Sequence, residues 1–153
     1  MGSTFEAAGD RDRVVTRSFD APRERIWEVW TGCEHLPAWS GPAGWTLAAC
    51  EVDLRPGGTF RYVWRSPEGM EVPNGGTDVE VVPNQRLVST HGEGGPAETT
   101  HALDLLDEGD RTTLRYTVRY PSAEIRDAAL APVMRQGMDA GYDRLEALLA
   151  TLG

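Results

Sequence analysis

The stretch "DLRPGGTFRYVWRS", Asp53–Ser66, decides how this chain is read. Pro56 followed by Gly57 and Gly58 is turn chemistry, because glycine supplies backbone angles that other residues resist. Beyond the turn, Phe60, Tyr62 and Trp64 alternate with Thr59, Arg61, Val63 and Arg65. A period of two belongs to a strand, and here it puts three aromatic rings on one face and arginines on the other. The rings either fill a closed core or wall a cup that holds something else.

Outward from this strand the same period persists from Trp45 to Tyr120. "WTLAACEVDL" precedes the turn, and "TDVEVVP", "QRLVSTH", "AETTHALDLL" and "TTLRYTVRY" follow, with turns expected at "PEGMEVPNGG", "PN", "GEGGP" and "DEGD". Alternation assigns Phe60, Tyr62, Trp64, Val79, Val81, Leu114, Tyr116, Val118 and Tyr120 to an inward face. It assigns Arg61, Arg65, Asp78, Glu80, Arg115 and Arg119 to a solvated one. On the N-terminal side, "RVVTRSF" reads as a first strand. "DAPRERIWEVWT" reads as a short amphipathic helix with Ile26, Val29, Trp30 and Cys33 at helical spacing, and "EHLPAW" as a second short one.

The apolar face of such a sheet needs a cover. It comes from the C-terminal segment, where Ser122 caps a lead-in helix, Pro132 breaks it, and Val133, Met134, Gly137, Met138, Gly141, Leu145, Leu148 and Leu152 follow a three-to-four rhythm. The pieces predict an α+β fold: a curved antiparallel sheet of about 6–7 strands around a long C-terminal helix, with two short helices after strand 1. Residues 1–12 are small, polar and aperiodic, which predicts a flexible N-terminal tail ahead of a single domain over 13–153.

Composition narrows the partners. The 153 residues carry a formal charge of −9, and all 15 basic residues are arginine, without a basic run. That balance speaks against nucleic acid, and no apolar stretch is long enough for membrane insertion. The N-terminus lacks the basic start and apolar core of a signal peptide, so a cytoplasmic protein is expected. Cys33 and Cys50 match no zinc or redox spacing and read as two reduced thiols.

The segments "FDAPRERIWEVWT", "LPAWSGPAGW", "EVDLRPGGTFRY", "DVEVVPNQRLVST" and "GYDRLEALL" resemble, in order and spacing, homologues of the heat-shock-protein-90 ATPase activator's C-terminal domain. That family belongs to the START-like or SRPBCC superfamily, whose fold is the helix-grip. The likeness runs from about Val14 to Leu149. It implies a START-like domain with a cavity between the concave sheet and the long helix. Relatives often carry Trp where this chain has Ser40 and Tyr142.

With that cavity implied, the aromatics weigh toward the cup. Gly137 and Gly141 lie one turn apart in the last helix, each costing about 1 kcal/mol relative to alanine, so they either allow close approach or leave volume open. Tyr and Trp tips bring hydroxyls and ring N–H groups inward, where unpaired polar groups are costly. The candidate ligand-binding residues are Trp39, Trp45, Phe60, Tyr62, Trp64, Tyr116, Met134, Met138 and Tyr142. The expected partner is a hydrophobic small molecule, polyketide-like or lipid-like, bound by a monomer or homodimer without a cofactor. Two alternatives use the same fold: a cyclase or aromatase working in the same cavity, and a chaperone-ATPase-activating interaction module. No catalytic residue is assigned. His91 and His101 flank a hairpin with Glu93 and Glu98 nearby and read as exposed or singly bonded, with no metal spacing; His35 reads as a surface residue.

Overall fold

The computed structural model describes residues 2–41, 43–92 and 97–152. Strand β1 (Thr4–Ala8) leads into β2 (Asp12–Phe19), followed by helices α1 (Arg23–Thr31) and α2 (Leu36–Trp39). Strands β3 (Thr46–Val52), β4 (Thr59–Arg65), β5 (Glu71–Val82), β6 (Arg86–His91), β7 (Thr99–Glu108) and β8 (Arg111–Arg119) come next. Helices α3 (Ala123–Ala129) and α4 (Pro132–Leu152) close the chain. Among the described residues the strands form one antiparallel sheet in the order β1-β2-β8-β7-β6-β5-β4-β3. This is the expected α+β helix-grip architecture, with eight strands instead of 6–7.

The additional strand is β1. The segment read as a flexible tail contains Thr4–Ala8, whose residues pair with Thr16–Asp12 of β2. Its side chains show no alternation because an edge strand has little to bury, so periodicity does not reveal it. The C-terminal reading holds: Ser122 Oγ accepts a hydrogen bond from the Ile125 N–H at 3.2 Å, and Pro132 opens α4, where its missing N–H costs nothing.

Two features of the central sheet depart from simple alternation. The expected turn at 67–76 is shorter, closing at Ser66 through the Met70 N–H to Ser66 Oγ bond at 3.0 Å, and Glu71–Gly76 continue as strand. Pro73 is tolerated because it pairs with Val63 of β4 on one side, while β6 reaches only as far as Gly76 on the other. The second departure is a bulge between Asp78 and Glu80, where the pairing with β6 shifts by one residue. Beyond the bulge the phase is reversed relative to a regular strand. Asp78, read as solvated, is therefore 3% exposed, and Val79, read as inward, is 56% exposed.

The turn in the opening stretch pins that bulge. Gly57 N–H donates to the Asp78 carbonyl at 2.8 Å, and Asp78 N–H donates to the Gly58 carbonyl at 2.8 Å. A Cβ on Gly58 would stand 1.9 Å from the Asp53 carbonyl oxygen, so only glycine lets the loop close onto β5. Gly57 has φ of 83°, the left-handed region.

The core lies between the sheet, α1 and the second half of α4. Val15, Phe19, Ile26, Val29, Leu114 and Leu145 are fully buried, each contributing about 1.5–3 kcal/mol by leaving water. Cys33 and Cys50, expected as free thiols, are joined in a disulfide with Cα atoms 5.9 Å apart. The sequence spacing gave no hint because the α1–α2 connection folds back over β3, a tertiary relation. No helix among the described residues is long and apolar enough to cross a membrane.

Candidate functional site

The concave face of the sheet carries polar as well as apolar rows. Ser89 of β6 stands opposite His101 of β7, His101 opposite Val118 of β8, and Val118 opposite Arg13 of β2. The next row runs Leu87, Leu103, Tyr116 and Val15. Two cavities open over these rows. One, of about 260 Å³, lies over β4–β8 beneath α1 and α2, with Phe60, Tyr62, Trp64, Asp78, His91 and His101 in its wall. The other, of about 440 Å³, lies under the first turns of α4, lined by Arg13, Val133, Met134, Met138, Tyr142 and Arg144 among others. Trp30, Trp39, Ser40 and Tyr116 line both.

The nine candidate residues from sequence divide between these cavities. Phe60, Tyr62 and Trp64 line the sheet cavity, Met134, Met138 and Tyr142 the α4 cavity, and Trp39 and Tyr116 line both. Trp45 lines neither. It precedes β3 and is only half-buried. Trp30, counted from sequence as part of a helix face, packs on Trp39 with ring centroids 4.9 Å apart and edge-on to Tyr116 at 5.2 Å. The indole N–H of Trp39 donates to the Val29 carbonyl at 3.0 Å, which fixes its ring between the two cavities. Gly137 resolves the question its helix position raised, since a Cβ there would meet nothing within 4 Å. Its absence leaves volume open under α4.

The histidines correct the sequence reading. His91 and His101 point into the sheet cavity with their rings stacked at 3.7 Å between centroids. His101 shares one hydrogen bond with the Tyr116 hydroxyl at 2.5 Å and another with Thr99 Oγ1 at 2.8 Å; Ser89 Oγ lies 3.4 Å from His91 Nε2. Burial pushes His91 down to about 4. Burial, then the neighbouring His91 and Arg13 charges, push His101 down to about 3. Both rings are therefore neutral at neutral pH. They escaped detection because flanking a hairpin says nothing about which face a residue takes. Glu93 lies outside the described residues. His35 is partly covered and stands 3.6 Å from Glu28. Among the described residues, no group of three His, Cys, Asp or Glu is arranged around a metal position.

Asp78 was missed for a different reason, the bulge. Its Oδ2 is buried without a hydrogen-bond partner, and burial followed by the Asp53 charge raises its carboxyl to about 6. Tyr62 is raised to about 12 by burial and then by Asp78, and burial raises Tyr116 further still. Two tyrosine hydroxyls, two neutral imidazoles and a carboxyl titrating near neutrality thus share one aromatic-walled space. Such a space can orient a polar group of a guest and exchange a proton with it.

A curved antiparallel sheet gripping a long C-terminal helix defines the helix-grip class. A family model described as Activator of Hsp90 ATPase homolog 1-like protein matches residues 20–150, and the chain belongs to that family. A solved protein from Rhodobacter sphaeroides is 30% identical over 99% of both chains, with a TM-score of 0.87. One from Nitrosomonas europaea is 28% identical over 92% of this chain and 95% of its own, with a TM-score of 0.82. One from Mycobacterium smegmatis is 22% identical over 96% of both chains at a TM-score of 0.80, a likeness of fold. No curated protein matches the chain.

Proposed function

We propose that this protein binds a small molecule, hydrophobic or polyketide-like, on the concave face of its sheet. The observation that carries the reading is the aromatic cluster of Trp30, Trp39 and Tyr116, which lines both cavities and offers a guest in either one an aromatic wall. The α4 cavity, at about 440 Å³, falls in the range of small-molecule sites, roughly 300–1,000 Å³, and the sheet cavity, at about 260 Å³, lies just below it. Affinity comes from apolar surface leaving water, about 25 cal/mol per Å² before the entropic cost of association. Tyr62, Asn74, Ser89 and the histidines supply the few directed contacts that set orientation.

Native mass spectrometry of protein purified from its own source tests the reading directly. A retained molecule of discrete mass is expected, and its release should accompany Met138→Trp, which fills the α4 cavity. Protein that is empty from its own source and unresponsive in tryptophan fluorescence to a panel of aromatic and aliphatic guests would refute it.

A second reading, an enzyme of the cyclase or aromatase kind, is favoured by Asp78. A carboxyl near 6 beside neutral imidazoles is suited to general acid–base work at physiological pH. Under this reading Asp78→Asn abolishes turnover of a bound guest while leaving its affinity nearly intact. Turnover that persists in the variant removes Asp78 from any chemistry.

A further inference from the structure

Arg13 raises a question that the sheet cavity does not answer. Alternation along β2 puts Arg13, Val15, Arg17 and Phe19 on the concave face, so two arginines are buried, at 6% and 2% exposure. A buried cation is costly unless paired. Arg17 is paired: α4 presents Asp139, Asp143 and Glu146 on one face, at 3.1, 2.7 and 3.6 Å from its guanidinium. The third buried arginine, Arg126, holds Asp127 at 2.8 Å and donates to three carbonyls.

Arg13 has nothing comparable. Among the described residues its guanidinium makes no ion pair and no hydrogen bond, and its Nε is buried without a partner. Tyr120 packs on it, with the ring centroid 5.7 Å away, but a neutral ring is no counter-charge. The neighbouring tyrosines cannot serve as anions either, since burial raises Tyr116, Tyr120 and Tyr142. Adjacent Asp12 is directed to Arg119, at 3.7 Å. Where α4 passes over Arg13 its side chains are Val133, Met134 and Met138 instead of acids, and the space between is the cavity of about 440 Å³.

We propose that the α4 cavity takes an organic anion: a small molecule whose carboxylate-like group lies on the Arg13 guanidinium and whose apolar body lies against Met134, Met138, Trp30 and Trp39. The planar fork of arginine suits such a group, which replaces the missing internal acid. The net charge of −9 repels anions from the protein as a whole, so binding of this kind requires a local cation. The proposal rests on the small-molecule reading above and narrows it to a chemical class.

The test compares anilinonaphthalene sulfonate with phenylnaphthylamine, two fluorescent probes sharing one apolar body, of which only the first is anionic. The anionic probe should bind wild-type protein at least about ten-fold more tightly, the factor expected of a charge-assisted hydrogen bond. Arg13→Met should erase that preference while leaving the neutral probe's affinity unchanged. Met134→Glu, at a half-exposed position on the same cavity, should weaken both probes by removing an apolar contact and the anion more than the neutral one by supplying a rival carboxylate. The wild-type comparison needs no substitution and decides even if a variant fails to fold. Equal affinity of the two probes, or a preference that survives in Arg13→Met, overturns the proposal and leaves the small-molecule reading standing. Failure of both probes to bind overturns the proposal, and the small-molecule reading falls with it only if the protein is also empty from its own source and unresponsive to the wider panel of guests.

Discussion

Asp78→Asn should make the protein more stable, and only above the pH at which the carboxyl loses its proton. The folded-state value of about 6 lies above the ordinary 3.8, so the folded protein holds the proton more tightly than the unfolded chain. The contribution of this one carboxyl is then undiminished at acid pH and falls as pH rises from about 4 through about 6, where the unfolded state ionises freely and the folded state cannot. A difference of about 2.2 pH units at 1.36 kcal/mol each gives about 3 kcal/mol as an upper figure. Contact with the cavity mouth screens part of it, so the variant should gain about 1–3 kcal/mol near pH 8 and almost nothing near pH 4. The titratable neighbours are Asp53, whose charge raises Asp78, and Tyr62, which Asp78 raises in turn and which stays neutral throughout. Asparagine keeps the shape and removes the charge. The assay is urea unfolding of both proteins across this range, reading the difference between them so that the histidine titrations cancel. A variant equal to or less stable than wild type near pH 8 would show the carboxylate to be well satisfied, and the bulge argument would fail.

Other outcomes follow from the same geometry. Wild-type stability should fall on acidification below about pH 6.5, because His91 and His101 stay neutral when folded and take up protons only when unfolded; replacing both by glutamine should flatten that limb, and an unchanged limb would place them in solvent. Gly137→Ala should raise stability by about 0.5–1 kcal/mol in chemical denaturation, since its methyl enters open space. The Cys33–Cys50 bridge closes a loop of sequence separation 17, so Cys33→Ser with Cys50→Ser should cost about 2–3 kcal/mol. Thiol titration of unreduced wild-type protein should find no free cysteine.

Much of the architecture was legible because it is local. The alternation of Phe60, Tyr62 and Trp64, the Pro56–Gly57–Gly58 turn, the Ser122 cap and the Pro132 break each follow from backbone preference over a few residues, and they brought the helix-grip fold within reach. Most of the aromatic wall came with them. Edge strand β1 did not, because an edge has no second face to advertise. The polar half of the site was decided in three dimensions. A single inserted residue at the Asp78 bulge reverses which side chains face inward, and the Gly57 N–H and the Gly58 carbonyl both hydrogen-bond the Asp78 backbone there. The inward turn of His91 and His101, the meeting of Cys33 with Cys50, and the want of an acid over Arg13 all depend on which distant segment lies opposite. Periodicity reports that a residue alternates; what it alternates against is set by packing.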